Sequence, residues 1–484
     1  MKDVLHFING EFVASKSGKT FDKIDPATGE VIAKVASGDV CEVDAAVAAA
    51  KTAFETWGKL PQVERSRLLM ELAAAINRRA AEFVAAEVAD TGKPMSLAGH
   101  LDIPRGAANF VQFAEHFKYI ATECWENQVQ NALNYAVRRP VGVVAVISPW
   151  NLPLLLMTWK VAPALAAGNC VVVKPSRETP STASLLGEVM NEVGIPKGVY
   201  NVVQGPGTLI GAALSRHPDI PALTFTGETT TGQTIMGDCA HTLKKLSFEL
   251  GGKNPNIIFA DAPLDECIDV TLRSSFANQG QVCLAGSRIY VQRPLYDTFV
   301  EKLVERAKAL KVGDPMCPET TMGALVSKGH LERVMTFVDS ARQEGATIRC
   351  GGERIPPSEL PERVKNGAFM YPTIITDAEE HYTCQSQEIF GPVVTISPFD
   401  TEEEVIRRAN ATEYGLSATV WTNDLRRAHR VANAVESGLV WVNTWFLRDL
   451  RTPFGGVKGS GIGREGGIYS LDFYTELKNI CIQL

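Results

Sequence analysis

Cys283 is the first candidate for chemistry, because it lies among small and amide residues in the stretch SSFANQGQVCLAGSR, from Ser274 to Arg288. A structural cysteine usually has large apolar neighbours, whereas a thiol that is kept accessible can attack a carbonyl carbon as its thiolate. The other nine of the ten cysteines are scattered, with no CxxC pair and no histidines at ligand spacing. We therefore expect most cysteines to be small core residues, and we expect no metal site.

Two polar residues in apolar surroundings could assist such a thiol. Glu249 ends the apolar stretch LSFE before a Gly-Gly pair, where desolvation would raise its pKa toward that of a general base. A purely structural carboxylate explains this position equally well. Asn151, in SPWNLPLLL, follows a predicted strand, and its amide group could stabilise an oxyanion. An ordinary turn asparagine is the alternative.

Two glycine-rich turns are candidates for binding phosphate groups. Gly207 lies in QGPGTLIG, and Gly227 and Gly232 lie in FTGETTTG. Backbone N–H groups at strand-to-helix junctions point toward a bound anion. Neither turn has the GxGxxG spacing, so each alone is better explained as a tight turn, but together they favour a dinucleotide. Lys174, at the end of the strand VVVK, could bind a ribose or phosphate, although such a lysine is more often a solvated strand end.

The elements that must position these residues alternate between strands and helices. From Val141 onward, β-branched runs such as VGVVAVIS and NCVVVKPS are each followed by a helical pattern. This alternation predicts right-handed crossovers and a parallel sheet covered by helices on both faces. A second alternating series begins after Gly251, which predicts an α/β protein with two α/β domains and a cleft between them.

Composition and charge argue against several classes of protein. The 484 residues include 48 basic and 55 acidic side chains, which gives a formal net charge of −7. This mildly acidic balance, without a long basic run, argues against nucleic-acid and anionic-membrane partners. We find no apolar stretch of about 18 residues and no secretory signal pattern at the start. With the scattered cysteines, these features predict a cytoplasmic protein.

Seven motifs occur in order between residues 148 and 467: SPWNLP, VVKPS, FTGE, FELGGKN, NQGQVC, EIFGPV and PFGGVKGSGIGREGG. Together they resemble the aldehyde dehydrogenase superfamily over essentially the whole chain. The resemblance implies a Rossmann-like parallel-sheet cofactor domain, a second α/β catalytic domain and a small β oligomerisation element. The corresponding ranges are 1–118 and 141–250 for the NAD-binding domain, 251–443 for the catalytic domain, 119–140 and 471–484 for the oligomerisation element, and 444–470 for a segment that returns to the substrate and cofactor.

The resemblance assigns the three polar candidates to aldehyde oxidation. Cys283 matches the nucleophile that forms a thiohemiacetal and then a thioester. Asn151 matches the residue that stabilises the oxyanion, and Glu249 matches the general base that activates water to hydrolyse the thioester.

The cofactor that the resemblance implies is NAD. The positions that we expect to contact it are Trp150 and Lys174 on the adenosine side, Gly207, Gly227 and Gly232 at the glycine-rich turns, and Glu388 and Phe390 at the nicotinamide ribose and ring. Two positions depart from the family pattern. Arg177 replaces a glutamate that disfavours a 2′-phosphate, so use of NADP is also a hypothesis. Glu228 replaces a common serine, and we interpret it as a trait of a subgroup.

Two arginine-bearing stretches, HLDIPRGAANF and NTWFLRDLRTPFGG, are distinctive. Arg105 and Arg448 beside an aldehyde funnel would be costly to desolvate unless the substrate carries a carboxylate. A surface salt bridge is the alternative, above all for Arg451. The same stretches resemble the 2-hydroxymuconate and 2-aminomuconate semialdehyde dehydrogenases, with the first favoured. The expected substrate is therefore a carboxylated semialdehyde from the catabolism of aromatic compounds.

Two other classes stay open at this point. A cysteine esterase or hydrolase would use Cys283 and Glu249 without redox chemistry, so dependence of turnover on a nicotinamide cofactor distinguishes it. A catalytically silent homologue is the other, and the presence of Asn151 beside those two residues argues against it. The family's β element predicts a homodimer or homotetramer.

Overall fold

The structure is a computed structural model that describes residues 3–484. Its strands, in chain order, are β1 His6–Ile8, β2 Glu11–Val13, β3 Thr20–Ile24, β4 Val31–Ala36, β5 Cys124–Asn127, β6 Ala132–Pro140, β7 Val143–Ile147, β8 Cys170–Lys174, β9 Tyr200–Val202, β10 Ala222–Thr226, β11 Lys245–Glu249, β12 Pro255–Ile258, β13 Arg288–Gln292, β14 Thr347–Cys350, β15 Thr373–Thr376, β16 Val393–Phe399, β17 Tyr414–Gly415, β18 Ser417–Trp421, β19 Leu439–Val442, β20 Val457–Lys458, β21 Gly461–Ile462 and β22 Thr475–Gln483.

The α-helices are α1 Val40–Trp57, α2 Gln62–Arg78, α3 Ala80–Thr91, α4 Met95–Leu97, α5 Ile103–His116, α6 Pro153–Ala166, α7 Ser181–Glu192, α8 Ala212–Arg216, α9 Thr229–Cys239, α10 Leu264–Phe276, α11 Arg293–Lys308, α12 Lys328–Glu344, α13 Thr383–Ser386, α14 Glu402–Asn410, α15 Leu425–Ala434 and α16 Gly467–Tyr474. Within residues 3–484, no helix combines the length and the apolar character that crossing a membrane requires.

The first sheet has eight strands in the order β2-β1-β9-β8-β7-β10-β11-β21. Its five central strands, from β9 to β11, are parallel. Every residue of β7, β8 and β10 is buried, which is why β7 and β8 are nearly continuous apolar runs rich in β-branched residues. The α/β architecture expected from the sequence is thereby confirmed.

The second sheet has seven strands in the order β14-β15-β16-β13-β12-β18-β19, all of them after residue 251. Its strands pair in parallel except at the β14 edge. A third sheet is antiparallel and contains β22, β6 and β5, so it joins the chain's last strand to the segment before β7. The domain boundaries expected from the sequence stay predictions, as does the oligomerisation role of the third sheet.

The parallel strands bring distant segments to one edge of the first sheet. Phe225 of β10 pairs with Ile147 of β7, and Thr226 pairs with Glu249 of β11. The segments that follow these strands therefore begin side by side, at the carboxyl ends where α/β proteins bind ligands. The short strand β21 adds antiparallel to β11 and brings the chain after residue 444 back to this sheet.

Candidate active site

A cavity of about 150 Å³ lies at this edge. Its walls come from the segments after the strands of the first sheet, from α12, and from the segments around positions 283 and 388. Its lining residues are Pro149, Trp150, Asn151, Thr226, Gly227, Glu228, Leu250, Gly251, Cys283, His330, Arg333, Glu388 and Phe390. The cavity thus unites six of the residues expected from the sequence, whereas Glu249, Lys174, Gly207, Gly232, Arg105 and Arg448 lie outside its lining.

A strained loop after α10 presents Cys283 to the cavity. Asn278 and Gln279 have left-handed φ angles of 51° and 57°, and Gly280 has a φ of 67°. A Cβ atom at Gly280 would lie 2.2 Å from the carbonyl oxygen of Gly391, so only glycine fits there. This tight path leaves Cys283 half-buried rather than enclosed in the core.

The pKa of the Cys283 thiol is raised above its usual value. Burial, together with the nearby charges of Glu388 and Glu249, raises its pKa to about 12. A base must therefore take the proton when the sulfur attacks. Asn254 Nδ2 donates a hydrogen bond of 2.7 Å to the carbonyl oxygen of Cys283 and so holds the backbone at this position.

Asn151 is almost fully buried and is held at both its backbone and its side chain. Its carbonyl oxygen accepts from Lys93 Nζ at 2.9 Å and from Asn278 Nδ2 at 3.0 Å. Its own Nδ2 donates to the carbonyl oxygen of Gln281 at 3.0 Å. An amide nitrogen carries two hydrogens, so one remains for an oxyanion formed at Cys283 in the same cavity.

Glu249, at the end of β11, is buried, and neither carboxyl oxygen has a hydrogen-bond partner among the described residues. Burial raises its pKa well above the usual range, and the like charge of Glu465 adds to this effect. The cations Lys160 and Arg448 oppose it. A buried carboxyl with free oxygens and a raised pKa is suited to accept a proton from a thiol or a water molecule.

Lys160 and Glu465 form a buried ion pair that sequence reasoning missed. The Nζ–Oε1 distance is 2.6 Å, and Lys160 also donates to Thr224 Oγ1 at 2.9 Å. Glu465 Oε2 has no partner within the described chain. The available signal was the lysine inside the apolar helix LLLMTWKVAPALAAG, because a lysine there is buried only when it is paired.

Three rings form an aromatic wall of the cavity. The centroid of Trp150 lies 5.0 Å from that of His330 and 5.2 Å from that of Phe390, edge to face in both cases. His330 Nε2 is 2.7 Å from the carbonyl oxygen of Phe390. Burial lowers the pKa of His330 below its usual value. His330 was not predicted, since it lies on α12 outside every motif.

Glu388 is the acceptor group beside this wall. Its Oε1 accepts from the N–H of Gly252 at 2.9 Å. Burial raises its pKa to about 7, against the opposing effects of this hydrogen bond and of Lys253. The carboxylate can accept hydrogen bonds from ribose hydroxyls.

The N-terminus of α9 faces the cavity through Gly227, so its free N–H groups suit an anion there. Glu228 brings a carboxylate to the same place, and Arg333 neutralises it with an Nη2–Oε1 distance of 3.1 Å. Gly232 serves packing, because a Cβ atom there would lie 2.8 Å from Leu250 Cδ2.

Lys174 is buried rather than solvated, and its Nζ donates to the carbonyl oxygen of Pro175 at 2.9 Å. Burial, aided by the charge of Arg177, lowers its pKa to about 8. The carbonyl oxygen of Lys174 accepts from Ser148 N at 3.1 Å, which places it beside the segment that leads to the cavity. Gly207 begins the π-helical turn Gly207–Gly211 and faces open space.

These groups fit a dinucleotide. The ammonium group at the end of β8 and the N–H groups of α9 suit phosphates, and the aromatic wall suits a planar ring. Gly251 leaves room for Glu388, since a Cβ atom there would lie 2.4 Å from Glu388 Oε2. Arg177 is exposed, and its guanidinium carbon lies 5.1 Å from the centroid of the Phe21 ring.

Arg105 and Arg448 converge on one aromatic ring. Their guanidinium carbons lie 5.8 and 5.4 Å from the centroid of Trp159, and that of Arg448 is 4.0 Å from the centroid of Phe454. Burial lowers the pKa of each arginine to about 10, and for Arg105 the charge of Arg448 contributes. Arg448 Nε and Nη2 are buried with no hydrogen-bond partner in residues 3–484.

Arg451 differs from these two arginines. It is exposed and pairs with Asp449 at an Nη2–Oδ2 distance of 2.6 Å, which is the surface salt bridge considered for it. Arg448, in contrast, lies near enough to Glu249 and Cys283 for their charges to act on its pKa.

Five of the nine cysteines other than Cys283 are buried core residues, as expected for most of them, and four are exposed. Whether a small side chain is covered depends on the face of the element that carries it, which local sequence does not reveal. The buried cysteines are Cys170, Cys239, Cys267, Cys350 and Cys384, and the exposed ones are Cys41, Cys124, Cys317 and Cys481.

Comparison with known proteins agrees with this site. The profile of the aldehyde dehydrogenase family matches residues 12–480. A 2-hydroxymuconic semialdehyde dehydrogenase of Pseudomonas sp. (strain CF600) is 55% identical over 100% of both chains. A 2-aminomuconic 6-semialdehyde dehydrogenase of Pseudomonas sp. is 51% identical over 100% of this chain and 99% of its own.

A solved structure of the NAD⁺ complex of an aldehyde dehydrogenase from Bacillus cereus superposes with a TM-score of 0.96. It is 43% identical and covers 99% of this chain and 96% of its own. The profile match, the full-length relatives and the shared fold lead to one conclusion: the chain is a member of the aldehyde dehydrogenase family, enzymes that oxidise aldehyde groups.

Proposed function

We propose that this enzyme oxidises a carboxylated semialdehyde to the dicarboxylic acid with NAD, and that 2-hydroxymuconate 6-semialdehyde is its substrate in the catabolism of aromatic compounds. The observation that carries the substrate class is the unpaired, buried guanidinium of Arg448 close to Cys283. Buried guanidinium nitrogens without hydrogen-bond acceptors are strongly unfavourable, and a substrate carboxylate would supply the missing acceptors. Arg105, on the same Trp159 ring, would provide the second cation.

The chain's own groups support each step. The sulfur of Cys283 bonds to the aldehyde carbon, its proton passes to a base, and the carbonyl oxygen becomes an oxyanion that the free N–H of Asn151 stabilises. A bound NAD would supply a hydride acceptor for that carbon, and a thioester would then remain on the Cys283 sulfur. Glu249 then takes a proton from water, whose oxygen attacks the thioester; the carbon–sulfur bond breaks, and the same proton passes to the departing sulfur, which releases the carboxylic acid and restores the thiol.

The residues that would hold NAD are Trp150, Phe390, Glu388 and Lys174, with the N-terminus of α9 behind Gly227. Solved relatives with NAD⁺ support this cofactor. Arg177, whose guanidinium stacks on Phe21, stands where the family pattern has a glutamate. No carboxylate at this position repels a 2′-phosphate, so the proposal includes slow turnover with NADP.

A steady-state panel tests the proposed function. It measures kcat/KM for 2-hydroxymuconate 6-semialdehyde, 2-aminomuconate 6-semialdehyde, an aliphatic semialdehyde with a carboxylate and a neutral aldehyde, each with NAD and with NADP. The hydroxymuconate substrate with NAD should rank first. A neutral aldehyde ranking first would contradict the substrate class, and acid formation without any cofactor would favour the esterase alternative. Cys283→Ser should abolish acid formation with every substrate.

The runner-up substrate is 2-aminomuconate 6-semialdehyde, which differs by one substituent, and the panel separates the two directly.

We also propose that the enzyme is a homodimer or homotetramer of the cytoplasm. Half-exposed Trp125 and the exposed Leu477 and Ile482 on the third sheet support assembly, and the free thiols support a reducing compartment. Light scattering coupled to size-exclusion chromatography measures the assembly, and a monomer would contradict it.

A further inference from the structure

Three charged side chains with no exposure, Glu87, Lys93 and Asp102, form a buried cluster beside the catalytic asparagine. Lys93 Nζ donates to the Asp102 carboxylate, to Glu87 Oε1 at 3.5 Å and to the carbonyl oxygen of Asn151 at 2.9 Å. Each of the three ammonium hydrogens thus has an acceptor. One acceptor is the backbone of the residue that donates to the oxyanion in the proposed mechanism.

Stability does not explain this cluster. Burial, opposed by Lys93 and aided by Asp102, raises the pKa of Glu87 to about 8, and burial also raises the pKa of Asp102. Desolvation of each ion costs several kcal/mol, and well-packed apolar side chains of the same volume are often at least as stabilising. Asp102 Oδ1 even lacks a partner among the described residues.

Local structure is specialised to build the cluster. Gly92 ends α3 with a left-handed φ of 73°, which turns the chain so that Lys93 points inward. The N–H of Lys93 then donates to Thr91 Oγ1 at 3.3 Å. Asp102 is the last residue of a π-helical turn, Ala98–Asp102, and such turns are frequent at functional sites.

We propose that Lys93 is a positioning residue: it holds the Asn151 backbone so that the free side-chain N–H points at the developing oxyanion. Among residues 3–484, only Asn278 Nδ2 shares this task, since Lys93 and Asn278 supply the two hydrogen bonds to the Asn151 carbonyl oxygen. The inference rests on the proposed function, because it requires Asn151 to be the oxyanion donor.

A double-mutant cycle tests the inference with the full-length enzyme, saturating NAD and 2-hydroxymuconate 6-semialdehyde. Lys93→Met is made in the wild-type chain and in Asn151→Ala, and kcat/KM for the aldehyde is measured in all four proteins. Asn151→Ala alone should lower kcat/KM by about 10²- to 10³-fold, as loss of an oxyanion donor does. Lys93→Met should lower it by about tenfold in the wild type and by less than about twofold in Asn151→Ala, because contacting residues that act together are not additive.

The outcomes separate two kinds of failure. An equal loss from Lys93→Met in both backgrounds, or no loss in the wild type, would overturn the positioning role alone. A normal kcat/KM in Asn151→Ala would overturn the oxyanion assignment in the proposed function, and the positioning role with it. KM for NAD should stay unchanged in Lys93→Met.

A matched control and a milder variant distinguish loss of the positioning role from unfolding of the protein. Lys244→Met removes another buried lysine, whose Nζ donates to the carbonyl oxygen of His217 at 2.8 Å at the opposite end of β11 from Glu249. It should lower the melting temperature without changing kcat/KM. If Lys93→Met does not fold, Asp102→Asn, which keeps the lysine, is carried through the same cycle. It should show a smaller loss that again disappears in Asn151→Ala, and an additive loss would overturn the proposal.

Discussion

Replacing Arg448 by methionine should remove recognition of the substrate carboxylate while keeping most of the side chain's packing against Trp159 and Phe454. Arg448 lies 4.0 Å from the centroid of Phe454, and its stem occupies apolar surroundings that methionine also suits. The substitution should therefore remove the charge and its hydrogen bonds and leave the fold unchanged.

The size of the effect follows from the two unpartnered atoms. Arg448 Nε and Nη2 are the buried donors available to a carboxylate, and Arg105 stays in place as a second cation. A hydrogen bond to a charged group contributes about 1.5–3 kcal/mol, which corresponds to about 10- to 150-fold in kcat/KM. The same substitution also removes a cation that lowers the pKa of Glu249. This second loss should be common to all aldehydes.

The assay must therefore compare two substrates. We would measure kcat/KM at saturating NAD for 2-hydroxymuconate 6-semialdehyde and for a neutral aldehyde of similar length. The neutral aldehyde reports the loss through Glu249, and the ratio of the two values isolates the carboxylate contact. Arg451→Met is the matched control, because Arg451 is exposed and already paired with Asp449, and it should change neither value.

Equal losses on both substrates would refute the reasoning, since the arginine would then act only on the catalytic groups. An equally large fall of the ratio of the two kcat/KM values in Arg451→Met would also refute the reasoning, because the enzyme would then recognise the carboxylate through its general surface charge. A ratio that falls by at least about tenfold in Arg448→Met alone supports the carboxylate contact.

Three further predictions follow from the site. The Glu249→Gln variant should release NADH in one burst per active site and then stall at the thioester. In the wild type, kcat should rise as the pH passes the raised pKa of Glu249, because only the deprotonated carboxylate is a base. A steady, unslowed rate in the variant, or a pH profile unchanged from the wild type, would contradict this role. Arg177→Glu should lower the ratio of kcat/KM for NADP to that for NAD by about tenfold or more, and an unchanged ratio would show that Arg177 does not face the 2′-position. Gly280→Ala should cost more stability than Gly194→Ala in thermal unfolding, since both have positive φ but only Gly280 faces a backbone oxygen at 2.2 Å; equal shifts would contradict this.

The residues proposed for the chemistry were accessible to sequence reasoning because each sits in a short segment of unusual composition. Cys283 among small residues, Glu249 at an apolar strand end and Asn151 beside two prolines each break a local pattern. The alternation of strands and helices likewise predicted the parallel sheet whose carboxyl edge carries them. Periodicity and composition are local properties, so they can be read along the chain.

The partners of these residues were not accessible in the same way. Lys160 and Glu465 are separated by 305 positions, and Lys93 reaches the Asn151 backbone across 58. His330 completes the aromatic wall from a helix that belongs to the second half of the chain. No local pattern identifies which distant group will neutralise a buried charge.

The sequence by itself therefore predicted the fold class, and with the family resemblance it led to the proposed nucleophile, base and oxyanion donor, because these predictions depend on residue type and on patterns within one element. Tertiary structure alone decided which cysteines are covered, which lysine holds the asparagine and which arginine stays unpaired. Burial and pairing depend on the distances between elements, and those distances exist only once the sheets have formed and packed.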